Sequence, residues 1–538
     1  FDSRKIRNAI FKANIRIAKE KMSEEDKKLA EAVEKLNSKP ESDGKKGQKD
    51  NIKKVEDIVI ELNNIENRIV RLTPSSSNMG SIALSKDGKY LYYQATYEKG
   101  MNLWKYDIQK GNPSKIGSAR GTMKWDSKHE VLFVLGGSFS QIKKDGKIES
   151  IPVGSEILIN LAAEREYMFN HVYRQEKERF YNKGMHNVDW ESLTQAYRKF
   201  LPYINNNYDF SELLSEYLGE LNVSHTGSGY RPLQSFDKAI TANLGLFFDM
   251  GWKEDGLKVA EIVEMGPFDK SFSKLEAGDV IIAINGNKIP KDMDYFPLLD
   301  RKAGERTLIS VKKSSGEEVE MVVVPITQSK FNELLYKRWV KRNAEKVAEL
   351  SGGRLGYVHI EGMNDKSFRT VYSDILGKYN HCDGIVIDTR FNGGGRLHED
   401  IEVLFSGEKY LTQEIRGKDA CDMPSRRYNK PSIMLIGEAN YSNAHGTPWV
   451  YKYKDMGLLV GKPVPGTMTS VSWETLQDPT LYFGIPVVGY RKSDGGYLEN
   501  DQLDPDIDVE NTKELVVTGR DEQLEAAVKA LLQQINNK

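Results

Sequence analysis

At 538 residues, with 77 basic against 78 acidic side chains, the chain should hold roughly three or four domains and carries no net field that would draw in nucleic acid or a strongly acidic partner. Two cysteines, Cys382 and Cys421, make no disulfide framework, and eight histidines without HExxH-type spacing give no metal set, so no cofactor is expected. No apolar run approaches the roughly 18 residues that cross a bilayer, so no membrane span is expected.

The first residues, Phe1-Asp2-Ser3-Arg4, have no signal-peptide core and no initiator Met, so the numbering is expected to begin inside a longer precursor. A highly charged stretch at about 10–54 contains a helix-forming run, Lys19 to Leu36, and a linker-like run, Ser38 to Gly47; it reads as an inserted surface segment without assigned function. From Val55 to Val153 short alternating runs follow one another, with Asp87-Gly88-Lys89 between Ile82–Ser85 and Tyr90–Tyr93, then Leu103-Trp104-Lys105-Tyr106-Asp107 and Val131–Leu135. Strand, Asp-Gly-Lys, strand is the rhythm of β-propeller blades. Only about two blades fit here and a propeller needs at least four. Residues 1–153 are therefore expected to be its last blades, the rest lying upstream in the same precursor.

The period then changes. Glu164–Phe180, Asp189–Phe200 and Asp209–Leu221 read as amphipathic helices of a mixed domain, 154–240, ending in Asn222-Val223-Ser224-His225-Thr226-Gly227. Residues 241–327 return to strands. There Leu244-Gly245-Leu246-Phe247 and Ala277-Gly278-Asp279-Val280-Ile281-Ile282-Ala283-Ile284-Asn285-Gly286 resemble a PDZ domain. Such a domain takes an extended peptide as an added strand and holds its carboxylate on loop amides. Residues 328–538 alternate strand and helix, as in a mostly parallel sheet with working loops at the strand C-termini.

The apolar strand Pro431–Gly437 runs into Asn440-Tyr441-Ser442-Asn443-Ala444-His445-Gly446, with a helix beyond it that Gly446 and Pro448 should interrupt early. A serine at such a junction has an exposed hydroxyl, amide donors beside it and the positive end of a helix dipole; it also has the identity of an ordinary helix N-cap. Asp388-Thr389-Arg390-Phe391-Asn392-Gly393-Gly394-Gly395 lies just past another strand. It lacks the Lys-Ser or Lys-Thr of a phosphate loop. Ser224-His225 supplies a base with a neighbouring hydroxyl, and Glu499, in Leu498-Glu499-Asn500-Asp501, a carboxylate that could orient it.

Together these runs resemble the C-terminal half of the tricorn-type serine proteases, within the tail-specific and C-terminal-processing peptidase group. The resemblance covers about 55–538 and rests on the domain order, on Asp388–Gly395 and on Glu499–Asp506, the Glu-Asn-x-x-x-Asp-Pro-Asp run. It implies a multidomain α+β protein whose last domain is an α/β, crotonase/ClpP-like serine peptidase. It implies Ser442 as nucleophile, His225 as general base, Ser224 linking His225 to Glu499, and the amides of Gly395 and Asn443 as the oxyanion hole. Peptides or unfolded chains are the implied substrates, and a homo-oligomer, by analogy a hexamer, the implied assembly.

Where the related Ser-Lys peptidases carry their lysine, this chain has Gly466-Thr467-Met468, and Lys462 precedes that turn. The chain also departs from its group, with Asn443 in place of Asp, His445 where an acidic residue is common and Gln413 near the expected acidic specificity position. A non-catalytic peptide-binding scaffold with a degenerate protease domain is the alternative those departures leave open. The resemblance spans cytoplasmic archaeal and exported bacterial proteins, and the Lys-, Asn- and Tyr-rich composition favours the periplasm.

Overall fold

Strand and helix boundaries follow the side-chain pattern closely enough to see why each element forms. The computed structural model describes residues 62–74, 76–97, 100–143, 146–233 and 238–537. The charged stretch expected at about 10–54 lies outside the described residues. The chain divides into two units, Phe1–Leu158 and Ile159–Lys538.

Within the first unit are two four-stranded antiparallel meanders. One runs through Met79–Leu84, Tyr90–Ala95, Asn102–Asp107 and Asn112–Gly117, the other through Thr122–Trp125, Leu132–Leu135, Phe139–Ile142 and Ile148–Ile151. The Asp-Gly-Lys turn works as its residues suggest: Gly88 takes φ +67° and the Asp87 carboxylate accepts from the Lys89 amide at 3.1 Å. Ala83, Leu103, Met123, Leu132, Val134 and Ile142 form the core between the meanders.

The second unit begins with three helices, Leu161–Arg179, Trp190–Arg198 and Asn207–Gly219, each capped by an Asn or Asp side chain. Their apolar faces, including Phe169, Trp190, Phe210 and Tyr217, close on Leu481, Phe483 and Ile485 from far down the chain. The reason is a three-stranded sheet in which Leu481–Gly489 pairs antiparallel with both Thr469–Thr475 and Gly227–Tyr230. That pairing carries the residues just before Gly227 to the C-terminal part of the chain.

A six-stranded antiparallel sheet follows, ordered Leu246–Phe248, Leu257–Ile262, Val280–Ile284, Thr307–Lys312, Glu318–Val323, with Asn287–Lys288 on Val280–Ile284. Asp279 is buried and accepts from Lys313 Nζ (2.9 Å) and the amides of Glu276 (2.9 Å) and Ser314 (3.0 Å), which pins the turn into its third strand. The helix Gln328–Ser351 then leads out, capped by Thr327 at one end and Gly352 at φ +60° at the other.

The last segment is a five-stranded parallel sheet ordered Leu355–His359, Gly384–Asp388, Ser432–Ile436, Gly457–Gly461, Ile507–Asp508. Its central strands are buried on both faces, as helix-covered parallel sheets require. Ile385, Ile387, Met434 and Ile436 face one core, with Leu404 and Tyr451. Val386, Ile433 and Leu435 face the other, with Leu524 and Leu531 of the helix Glu522–Asn536.

One expectation fails here. The helix after Ser442 is not interrupted: Asn443–Tyr453 runs through Gly446 and Pro448. A proline removes one hydrogen bond to the carbonyl four residues back; that carbonyl, of Ala444, accepts instead from Asn440 Nδ2 at 3.1 Å. Gly446 leaves room for Met468, whose Cε would lie 2.8 Å from an added Cβ.

Candidate active site

Ser442 ends the turn from the strand Ser432–Ile436 into the helix Asn443–Tyr453 with φ +58° and ψ −124°, outside the conformations an L-residue prefers. Its hydroxyl does not cap the helix and makes no hydrogen bond among the described residues, which removes the ordinary N-cap explanation. The strain is held from outside: the Ser442 amide donates to Thr467 Oγ1 at 3.1 Å, and the Tyr441 amide donates to the Asn392 carbonyl at 3.0 Å. Thr467 thus stands beside the serine and offers no amine to it. Lys462 is engaged elsewhere, with Asp508 at 2.8 Å.

The glycine run is packed against this turn. A Cβ on Gly394, at φ +95°, would lie 2.6 Å from Ser442 Cβ and 2.7 Å from the Tyr441 carbonyl. Only glycine fits. The amide of Gly394 is spent on Asn392 Oδ1 at 2.8 Å, whereas the amides of Gly395 and Asn443 donate to no group among the described residues. The remainder of the Asp-x-Arg-Phe-Asn run is scaffold. Asp388, fully buried, pairs with Arg390 (2.7 Å), which also pairs with Asp521 (2.8 Å). Those two carboxylates hold the Arg390 guanidinium charged despite its burial. Asn392 Nδ2 donates to the Ile360 carbonyl at 2.7 Å.

Ser224, His225 and Glu499 come together across the chain. Ser224 Oγ donates to Glu499 Oε2 at 2.8 Å, and the Ser224 amide donates to Oε1 of the same carboxylate. His225 Nδ1 lies 2.8 Å from Ser224 Oγ and 3.0 Å from Thr469 Oγ1. Both hydroxyl protons have other acceptors, Glu499 for Ser224 and the Ser224 carbonyl for Thr469. The two oxygens therefore accept from an Nδ1–H, which leaves Nε2 as the lone-pair nitrogen. Among the described residues Nε2 has no partner. The His225 amide donates to the Tyr441 hydroxyl at 2.6 Å and the two rings lie 4.7 Å apart, so His225 is carried by the residue preceding Ser442.

Burial lowers the His225 pKa below the usual imidazole value and, for the opposite charge sign, raises that of Glu499. Asn500 Nδ2 donates to the Asn222 carbonyl at 2.9 Å, a second tie between the two segments.

Of the three positions that depart from the pattern the chain resembles, Asn443 has a visible role. Asn443 Oδ1 accepts from the amides of Leu397 (2.8 Å) and His398 (2.9 Å), so it caps the helix His398–Phe405 from across the site. His445 is fully buried with both ring nitrogens unpartnered among the described residues, and burial pulls its pKa down to about 4. Gln413 lies exposed on the hairpin Leu411–Ile415 with Lys418–Met423. Leu244-Gly245-Leu246-Phe247 belongs to a different part of the unit, where Leu246–Phe248 forms one edge of the six-stranded sheet. Gly245 is at φ +72° and a Cβ there would meet Pro267 at 2.7 Å. Sequence reasoning missed Thr469, Tyr441 and Gly394 as parts of the site. Nothing local distinguishes a threonine that steadies an imidazole from one in any strand.

Residues 354–509 match the family model described as peptidase family S41, and residues 161–219 that described as the tricorn protease C1 domain. The two matches fall on the segments that supply Ser442 and Glu499 on one side and lead into Ser224 and His225 on the other. Both matches make the chain similar to the tricorn-type serine proteases. It is 26% identical over 409 residues to a putative tricorn-like protease C-terminal subunit of Sulfurisphaera tokodaii, covering 73% of this chain and 46% of that one. It is 22% identical to the tricorn protease of Thermoplasma acidophilum, over 83% of this chain and 42% of that protein. The solved tricorn protease superposes with TM-score 0.73 at 19% identity, over 85% of this chain and 47% of that one, which establishes a shared tricorn-type fold. The chain spans less than half the length of these relatives. Among the described residues no helix is long and apolar enough to cross a membrane.

Proposed function

We propose that this tricorn-type chain hydrolyses peptides or unfolded polypeptides through an acyl-enzyme on Ser442. His225 Nε2 takes the Ser442 proton as Oγ attacks the scissile carbonyl, then returns it to the leaving amine. Ser224 and Glu499 orient the imidazole and stabilise its charged form, the work a single Asp does in a triad. Gly395 and Asn443 donate amides to the oxyanion.

The observation that carries this reading is the strained, uncapped Ser442 hydroxyl beside two uncommitted amides. A merely structural serine at a helix start would spend its hydroxyl on the helix. No hydrogen bond joins Ser442 Oγ to His225 in the free chain, and such contacts commonly tighten only when substrate binds.

We further assign residues 62–153, the described part of 1–153, to the last blades of a β-propeller, 154–240 to the helical domain that delivers His225, 241–327 to a PDZ domain, and 328–538 to the peptidase domain. Leu244, Gly245, Leu246 and Phe247 would hold a peptide carboxylate at the open sheet edge. The assembly is proposed to be a homo-oligomer. Turnover of a quenched peptide library by the wild type, abolished in Ser442→Ala, supports the function. Equal turnover by that variant contradicts it.

A further inference from the structure

We propose that an aromatic cup beside the glycine loop receives a large apolar side chain of the substrate, within about three residues of the scissile bond; this rests on the peptidase reading above. The cup, a cavity of about 420 Å³, is lined by Leu335, Tyr336, Trp339, His359, Glu361 and Phe391. Phe391 is the unexpected member. It is 70% exposed, at φ +65°, on the same loop as Gly394 and Gly395. A bulky residue held at positive φ with its ring in water costs stability twice over and points to use.

The rest of the cup is rigid. His359 has both ring nitrogens engaged, Nδ1 by the Tyr336 hydroxyl at 2.8 Å and Nε2 by the Arg390 carbonyl at 3.0 Å, so it presents only its ring to a ligand. Trp339 meets the His359 ring edge-on at 4.8 Å and the Phe391 ring at 6.0 Å. The Arg390 guanidinium, fixed by Asp388 and Asp521, lies 5.9 Å from the Trp339 ring centre.

The place of the cup follows from strand order. His359, Phe391 and Ser442 lie at or beyond the C-terminal ends of three adjacent parallel strands. Phe391 stands three residues before Gly394, whose added Cβ would lie 2.6 Å from Ser442 Cβ; an extended chain rises about 3.3 Å per residue, which puts Phe391 on the order of 10 Å from the serine and sets the three-residue limit. Tyr336, His359 and Glu361 also border a larger cavity of about 600 Å³ along the helix Gln328–Ser351, giving a longer chain somewhere to continue.

The test walks one Phe through the three positions on either side of the cleaved bond in an otherwise constant, serine-rich quenched peptide. At one position kcat/KM should rise about 10- to 100-fold over the peptide with Ser there, chiefly through KM. That ratio should fall below about threefold in Phe391→Ser and in Trp339→Ala. Fluorescence anisotropy of the same peptides on Ser442→Ala chain should show the same positional preference. That arm reads the cup even where hydrolysis is absent, so failure of the peptidase reading and failure of the cup are separable. Equal binding at every position, or a preference that survives both substitutions, overturns the proposal.

Discussion

Ser442 and His225 illustrate how little of a candidate catalytic arrangement is in the identity of its residues and how much in what their atoms are not doing. The Ser442 hydroxyl is uncommitted and His225 Nε2 is open, while the hydroxyls of Ser224 and Thr469 and the Glu499 carboxylate that steady the imidazole are all engaged. Ser224→Ala should lower kcat by about 100- to 10,000-fold with KM within a few-fold, because it removes orientation rather than binding. Burial disfavours the imidazolium of His225, and a base must be neutral to act. The acid limb of kcat/KM should therefore fall below the ordinary imidazole value of about 6.5. A limb at or above that value would contradict the assignment of His225.

A second residue away from the site titrates with consequence for stability. Glu176, fully buried in the helical domain with both oxygens unpartnered among the described residues, has its pKa pushed up to about 8 by burial. The folded state then favours the protonated form, so no penalty exists below the usual carboxyl range. Stability is lost as pH rises from about 4.5 to about 8. Glu176→Gln removes that dependence. Urea unfolding should show the variant gaining on the wild type by on the order of a few kcal/mol at pH 8 and little at pH 4.

At the scale of elements, two loops and one helix build the site, and each has a residue on which it depends. Gly394→Ala would drive a Cβ into Ser442 and the Tyr441 carbonyl, whereas a Cβ on Gly393 meets nothing within 4 Å. The first should lose at least about 100-fold in kcat/KM, and Gly393→Ala should stay near wild type. Asn440→Ala strands the Ala444 carbonyl that Pro448 cannot satisfy. Thermal unfolding should show a loss of about 1–3 kcal/mol.

The same elements show where sequence reading succeeds. Alternation and turn residues located the strands around Asp87-Gly88-Lys89, and the helical period located Leu161–Arg179 and Asn207–Gly219, because each pattern is local. The interruption expected at Pro448 did not occur, since the group that repairs it is the side chain of Asn440, outside the helix. The meeting of Ser224 with Glu499 was legible only by resemblance. It depends on the strand pairing of Gly227–Tyr230 with Leu481–Gly489, a long-range event no local pattern encodes.

For the whole molecule, the second unit brings together the candidate residues that the sequence scatters between 224 and 499. Its parallel sheet, buried on both faces, holds the glycine loop and the Ser442 turn at adjacent strand ends. The tricorn-type fold extends well beyond this chain in its relatives, so assembly is a separate question. Light scattering after size exclusion should give a mass that is a whole multiple of 61.1 kDa and greater than one; a strictly monomeric species that still turns over peptide would show that one copy suffices.

The most direct test of the central claim is covalent labelling with a fluorophosphonate probe, mapped by peptide mass spectrometry. An activated nucleophile predicts one adduct, on Ser442, absent in Ser442→Ala and strongly reduced in His225→Ala. Labelling of another serine, or none on a folded chain that binds peptide, would contradict the account.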